Sequence, residues 1–147
     1  MKSKYIKIPY TPSITVTRPI KPEKSVSSIR DELVKYAMQF KGNPYAYGRI
    51  SLTEGTDCSG FTQSVFRHMG ILLPRTSEQQ ACCGRMVPLN KLQPGDLIFY
   101  SKKGVIDHVA LYTGDGNVIH ASCPKSGIKV SRYDYRKPYK AVTYIDI

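Results

Sequence analysis

The first regular pattern in the chain is helical. Its apolar residues follow the spacing of one helix face: Ile29, Leu33, Ala37 and Phe40. Ser28 and Asp31 have the spacing of a capping box, so we predict a first helix from Ser28 to about Lys41. Gly42 is placed to end it. Residues 43–57 are rich in turn formers and predict a loop.

A second helix is predicted over about residues 58–69. Apolar residues recur there at every fourth position: Phe61, Val65 and Met69. Asp57 is the expected N-cap, and Gly70 is the expected end. Cys58 therefore falls in the first turn of this helix.

After the helices the pattern changes to that of short strands. A segment with helical potential, Thr76 to Cys83, comes first. Five runs rich in β-branched and aromatic residues then predict strands: Leu97–Tyr100, His108–Thr113, Asn117–Ala121, Ile128–Val130 and Val142–Ile145. Gly114-Asp115-Gly116 is a hairpin signal between two of them. Helices followed by an antiparallel meander predict the α+β class.

Size and charge limit the classes of protein. The 147 residues suffice for one domain, and no stretch approaches the roughly 20 apolar residues of a membrane helix. No signal-peptide core is visible. The net charge is +11, with six cations against one acid in residues 1–24 and six against two in residues 125–147. We divide the chain into a basic extension, 1–24, and one domain, 25–147. Basic ends suit nucleic acid, anionic lipid or anionic wall polymer, without choosing among them.

The cysteines carry the first candidate chemistry: Cys58, Cys82, Cys83 and Cys123. Their spacing is not that of a zinc site, so neither a metal nor another cofactor is predicted. Disulfide pairing stays open. A helix start stabilises a thiolate through its unpaired amides and its positive dipole end. Because Gly60 would leave room for a substrate carbonyl near those amides, Cys58 is the candidate nucleophile.

A nucleophilic cysteine needs a base, and two histidines are placed to supply it. If the hairpin loop has three residues, His120 lies opposite Ala110, two residues from His108. The two imidazoles then share one face of the sheet, about 7 Å apart at Cβ. A loop of two or four residues would put them on opposite faces. His68, near the end of the second helix, is expected at the surface by the helix C-terminus.

Six sequence blocks extend these observations: NPYAYG at 43–48, DCSGF at 57–61, LPRTS at 73–77 with Gln80, PGDL at 94–97, DHVALY at 107–112 and VIHA at 118–121. In their order and spacing they resemble the NlpC/P60 cysteine peptidases of bacterial cell walls, over about residues 33–145. One departure is Arg49, which stands where many similar enzymes have a second glycine.

The resemblance implies a papain-like α+β fold, with N-terminal helices packed on an antiparallel sheet. It implies that Cys58 is the nucleophile, that His108 is the base and later the acid, and that His120 orients His108. Similar enzymes hold the amino end of a wall peptide, or place a tyrosine by the nucleophile, at four matching positions: Asp57, Ser59, Ser77 and Tyr45. We expect the pair to titrate together, as a thiolate with an imidazolium.

The function implied is hydrolysis of an amide bond in peptidoglycan stem peptides, typically γ-D-glutamyl to a diamino acid, through an acyl-enzyme. The family also implies the cell envelope, periplasmic or secreted. A monomer is favoured, no nucleic acid is expected, and the basic ends would suit an anionic wall polymer. Two alternatives stay open: an acyltransferase or amidase of the same superfamily, and a basic binding module for wall polymer or nucleic acid.

Overall fold

The structure is a computed structural model that describes residues 25–145. The predicted basic extension, 1–24, lies outside this range. The described helices are α1 (Val26–Met38), α2 (Cys58–His68) and α3 (Ser77–Cys83). The described strands are β1 (Ile50–Ser51), β2 (Gly55–Thr56), β3 (Arg85–Met86), β4 (Leu97–Lys102), β5 (Val105–Gly114), β6 (Asn117–Ala121), β7 (Ile128–Arg132) and β8 (Lys140–Thr143).

The strands form two sheets. β1 and β2 make a small antiparallel hairpin, and the other six make one antiparallel sheet in the order β3-β8-β4-β5-β6-β7. The α+β class is therefore confirmed. The sequence pattern missed β1, β2 and β3, because two residues are too few to show an alternation of period two.

The helix starts are set by side-chain caps. Asp57 caps α2 as predicted, and Thr76 caps α3 in a capping box with Gln79. The predicted start of the first helix at Ser28 was wrong. The hydroxyl of Ser25 accepts from the amide of Ser28 at 3.1 Å, so the chain is already helical from Val26.

The hairpin between β5 and β6 reaches the predicted register by a different route. Its turn has two residues, Asp115 and Gly116, both with positive φ, and Gly114 pairs with Asn117. That turn alone would put the histidines on opposite faces. A bulge at Thr113 compensates, because Leu111 pairs with Ile119 beyond it. The two histidines consequently share a face after all.

The main core lies between the helices and one face of the large sheet. Its fully buried members come from both layers: Leu33, Ala37, Phe61, Val65, Phe66, Leu97, Phe99, Val109, Leu111, Ile119 and Val142. The predicted apolar stripe of α1 faces this core. A smaller cluster covers the opposite face of the sheet: Ile98, Tyr100, Ala110, Val118 and Ala141. The sheet is thus buried on both sides where β4, β5 and β6 run together.

A buried ion pair ties α1 to the sheet. One guanidinium nitrogen of Arg30, Nη1, donates to Asp96 Oδ1 and to the Pro94 carbonyl, both at 2.8 Å. The other, Nη2, donates to Thr143 Oγ1 at 3.2 Å and to the Ile145 carbonyl at 3.1 Å. Arg30 is 7% exposed and Asp96 is 1% exposed. One side chain therefore links the first helix to the start of β4 and to the end of β8.

We predict that Arg30→Met lowers the free energy of unfolding by about 3–5 kcal/mol, because it leaves the Asp96 carboxylate buried without its partner. The matched control is Arg132→Met. Arg132 pairs with Asp134 at 3.6 Å, both side chains are more than half exposed, and the change costs less than about 1 kcal/mol. Urea unfolding measures both. Equal losses in the two variants would contradict the assignment.

Candidate active site

The start of α2 surrounds the sulfur of Cys58 with backbone amides. Asp57 Oδ1 accepts from the amide of Gly60 at 2.7 Å, which leaves the first two amides of the helix unused by the cap. Those amides, of Cys58 and Ser59, and the amide of Val109 in β5 lie close enough to the sulfur to lower the pKa of Cys58. The ladder between β5 and β6 ends at Leu111, so Val109 is free to do this. Cys58 therefore lies next to the strand segment that carries His108.

Burial and the charge of Asp57 shift the pKa of Cys58 in one direction, and the nearby amides shift it in the other. Burial, the largest influence, raises the pKa of Cys58, and the nearby carboxylate of Asp57 raises it further. The amides of Val109, Ser59 and Cys58 itself lower it. Because desolvation outweighs the amides, the pKa lies above its usual value. The resting sulfur is a thiol.

The two histidines predicted to share a face are hydrogen-bonded to each other. His108 Nε2 lies 2.7 Å from His120 Nδ1, and His120 Nε2 lies 2.9 Å from Ser131 Oγ. His108 is 7% exposed and His120 is fully buried. One tautomer leaves Nδ1 of His108 free to accept a proton: each Nε2–H then donates along the chain toward Ser131. This chain of three residues is called the histidine relay below.

Both imidazoles are neutral at rest. Burial, and then the guanidinium of Arg136, lower the pKa of His108 to about 4. Burial, His108 and Lys129 lower the pKa of His120 to about 3. The directions at Cys58 and His108 favour a thiol beside a neutral imidazole. They oppose the thiolate–imidazolium pair that we expected from the sequence.

Asp57 and Ser59 are held by an arginine that the sequence analysis did not single out. Arg75 donates from Nη1 to Asp57 Oδ1 at 3.1 Å and from Nη2 to Asp57 Oδ2 at 2.9 Å. Its Nη1 also donates to Ser59 Oγ at 2.8 Å. The only available signal was its place inside the LPRTS block. Asp57 is thus part of an ion pair as well as a helix cap.

The other two predicted binding residues lie at the ends of neighbouring elements. Tyr45 is half-buried, and its backbone forms an isolated parallel β-bridge with that of Thr56. Burial, the largest influence, raises the pKa of Tyr45, and electrostatic interaction with Cys58 and Asp57 raises it further. Ser77 is the first residue of α3, and it is half-buried.

Residues after β7 cover the histidine relay, and sequence periodicity could not reveal them. The ring of Tyr135 lies 5.1 Å from that of His120. Arg136 donates to Asp107 at 2.9 Å and to the Ser101 carbonyl at 3.2 Å, beside His108. These contacts connect the segment after β7 to both ends of the His108–His120 pair.

The structure changes the expectation for Gly60 and agrees with that for His68. A Cβ on Gly60 would lie 2.5 Å from the Arg49 carbonyl oxygen and 2.6 Å from Thr56 Oγ1. Gly60 therefore lets the loop before α2 pack on the helix, where we had expected it to make room for a substrate. His68 is exposed in the last turn of α2, as expected, and it stacks on Tyr36 with ring centroids 3.7 Å apart.

Residues 42–145 match the family model of NlpC/P60. The chain belongs to the NlpC/P60 family. Gamma-D-glutamyl-L-lysine dipeptidyl-peptidase of Bacillus cereus is 40% identical over 103 residues, which are 68% of this chain and 31% of that protein. The chain spans about a third of the length of this relative.

Two similar solved structures, one of a hydrolase and one of a non-catalytic protein, are both NlpC/P60 domains. The NlpC/P60 domain of the peptidoglycan hydrolase SagA has a TM-score of 0.71 and 31% identity, over 78% of this chain and 97% of that one. RipD of Mycobacterium tuberculosis, described as a non-catalytic domain adapted to peptidoglycan binding, has a TM-score of 0.68 and 27% identity, over 82% and 98%. The papain-like NlpC/P60 fold that we predicted is confirmed.

The remaining thiols of this NlpC/P60 domain are free, and they differ in reactivity. All four cysteines are unpaired, which answers the disulfide question. The pKa of Cys123 is lowered to about 7 by the hydroxyl of Ser126, 3.2 Å away, and by the amides of Ser126 and Lys125. Within residues 25–145 no cluster of three ligand-type side chains could hold a metal ion, and no helix is long and apolar enough to cross a membrane.

We predict that Cys123, ahead of the candidate nucleophile, is the first thiol that iodoacetamide labels at pH 7. Its thiolate is half formed there, whereas the pKa of Cys58 is raised. The labelling rate of Cys123 should rise with pH about a midpoint near 7. Peptide mass spectrometry at several pH values measures it, and Ser126→Ala should move the midpoint upward. Faster labelling of Cys58 than of Cys123 would contradict this.

Proposed function

We propose that the chain is a cysteine peptidase that hydrolyses an amide bond in peptidoglycan stem peptides through an acyl-enzyme on Cys58. The observation that carries this proposal is the histidine relay, in which His108 precedes Val109, the residue of β5 whose amide lowers the pKa of the helix-start Cys58. A nucleophile, a base and a residue that orients the base are the three parts that acyl transfer to sulfur requires.

Acylation begins from the neutral pair. His108 Nδ1 accepts the thiol proton as the Cys58 sulfur attacks the substrate carbonyl carbon. The imidazolium that forms keeps its Nε2–H bonded to His120 Nδ1, and His120 passes part of the polarisation on to Ser131. The unused amides of Cys58 and Ser59 stabilise the developing oxyanion. His108 then protonates the leaving amine, and the amide C–N bond breaks.

Deacylation uses the same groups in reverse roles. With the amine gone, neutral His108 takes a proton from water, and the hydroxide attacks the thioester carbonyl. The C–S bond breaks, and the proton on His108 returns to the Cys58 sulfur. His120 remains neutral throughout, since burial lowers its pKa to about 3. Its role is to hold the His108 ring with Nδ1 toward the sulfur.

For the substrate we propose a peptide in which γ-D-glutamate is joined to a diamino acid, as in the name of the Bacillus cereus relative. Its free amino end would lie at Asp57, Ser59 and Ser77, with Tyr45 between that end and the nucleophile. This substrate places the protein in the cell envelope. The basic ends would add affinity for an anionic wall polymer.

Peptidoglycan binding without cleavage is the second candidate, because RipD has this fold and is described as non-catalytic. In the chain described here His108 is hydrogen-bonded to His120, and His120 to Ser131, so the proposed base has a residue that orients it. A base with such a partner supports hydrolysis over binding alone. We therefore rank hydrolysis first, and product analysis separates it from acyl transfer, which leaves an adduct.

We predict that Cys58→Ala lowers the rate of release of the diamino acid fragment by at least about 1,000-fold, because no other group can form the acyl-enzyme. Mass spectrometry of peptidoglycan fragments measures the products. The matched controls are Cys82→Ala and Cys83→Ala, which change exposed thiols on α3 and should retain full activity. Hydrolysis by the Cys58→Ala protein would contradict the mechanism.

The pH dependence tests the neutral pair. The lowered pKa of His108 means that the imidazole stays neutral until the pH falls through about 4. We therefore predict that kcat/KM rises through a midpoint near 4 and is flat from about pH 5 to about 7.5. Activity lost with a midpoint above 6 would indicate an ordinary or raised imidazole pKa and contradict the prediction. Arg136→Gln should move the midpoint upward.

A further inference from the structure

The ion pair between Arg75 and Asp57 occupies the whole carboxylate. Asp57 Oδ1 accepts from the Gly60 amide at 2.7 Å and from Arg75 Nη1 at 3.1 Å. Asp57 Oδ2 accepts from the Gly48 amide at 3.1 Å and from Arg75 Nη2 at 2.9 Å. The hydroxyl of Ser59 adds a longer contact at 3.4 Å. Four good donors fill the lone pairs of a carboxylate.

These contacts connect three separate segments at one group. Gly48 belongs to the loop after α1, Gly60 to the first turn of α2, and Arg75 to the segment before α3. Asp57 is 13% exposed, and Arg75 is 36% exposed. Because the guanidinium spans both oxygens, it allows one orientation of the carboxylate, and that orientation is the one that caps α2.

We propose that Arg75 is a positioning residue for the nucleophile: its guanidinium, acting through Asp57 and Ser59, fixes the first turn of α2 and hence the place of the Cys58 sulfur. It does not touch the reacting atoms. It acts through two hydrogen bonds: the Gly60 amide donates to Asp57, which Arg75 orients, and Arg75 itself donates to the Ser59 hydroxyl. Gly60 and Ser59 both belong to the helical turn that carries the sulfur.

The same contact controls the electrostatics of the thiol. The carboxylate of Asp57 raises the pKa of Cys58. A guanidinium at 2.9 Å from that carboxylate offsets its field at the sulfur. Loss of Arg75 would therefore make the thiolate harder to form, in addition to loosening the turn.

Arg75 also affects how an amino end would bind. An ammonium group that approached Asp57 and Ser59 would meet a guanidinium already bonded to both. The two cations must share the carboxylate, so Arg75 limits how much binding energy the amino end obtains there. A loss of Arg75 that acted only on this interaction would change KM for free-amino peptides and leave N-acetylated peptides unaffected.

The inference rests on the proposed function only in calling Cys58 the nucleophile. The first measurement is therefore the reactivity of the Cys58 thiol, which does not require a substrate. Variants are made in a Cys123→Ser background, and the alkylation rate of Cys58 by iodoacetamide is followed against pH. Arg75→Gln should slow it by roughly tenfold at pH 7 and shift its profile to higher pH. Arg67→Gln is the matched control, since Arg67 is exposed at the other end of α2.

Two further variants separate positioning from a general loss of structure. In an Asp57→Asn background, Arg75→Gln should slow the alkylation of Cys58 less than it does in the wild-type background, because the carboxylate through which Arg75 holds the first turn is gone. Arg75→Lys should restore much of the pH profile but only part of kcat, since an ammonium cannot span both oxygens. With peptide substrates, kcat should fall to a similar degree for free-amino and N-acetylated forms.

A folded Arg75→Gln protein with wild-type alkylation overturns the inference. If that variant does not fold, the decision passes to Arg75→Lys, where wild-type alkylation and kcat also overturn it. Failure of the proposed function has a different signature. In that case no variant cleaves peptide, yet the alkylation profiles still report on Arg75.

Discussion

The first turn of α2 depends on one largely buried carboxylate that is hydrogen-bonded through both of its oxygens. Asp57 caps the helix through Gly60, holds the preceding loop through Gly48, and pairs with Arg75. By satisfying the third helical amide, it leaves the first two amides of the helix unused by the cap, and both lower the pKa of Cys58. The Asp57 carboxylate thus leaves amides free for an oxyanion, but its negative charge disfavours the Cys58 thiolate. The positive charge of Arg75 partly offsets this effect.

Burial decides the charge state of the site. A helix start by itself favours a thiolate, and a nearby imidazole by itself favours an ion pair. The Cys58 thiol and the His108 imidazole are both largely buried. At Cys58 the free-energy cost of removing a charge from water is larger than the stabilisation that the three amides provide. In the mechanism that we propose, the neutral pair transfers its proton as the sulfur attacks a substrate carbonyl. Charge then develops next to the oriented amides and the histidine relay, both already in position.

The sequence predicted those parts of the molecule whose determinants are local. The cap at Asp57, the place of Cys58 and the strand positions of the two histidines follow from residue spacing alone. Arg75 and Ser131 were not found in this way, because the contact of Arg75 with Asp57 spans 18 residues and that of Ser131 with His120 depends on the register between β6 and β7. The start of α1 was misplaced because two serines could each cap it, and only packing decides between them.

The prediction that the two histidines share a face is correct, although the predicted turn length was wrong and the bulge at Thr113 was not predicted. The hairpin turn is one residue shorter than predicted, which alone would turn His120 away from His108. The bulge at Thr113 adds that residue back inside the strand. A sequence records the number of residues between the two histidines but does not record how turn and bulge divide them. The sequence spacing is therefore not sufficient by itself. The hydrogen bond between His108 Nε2 and His120 Nδ1 requires the register beyond the turn, in which Leu111 pairs with Ile119.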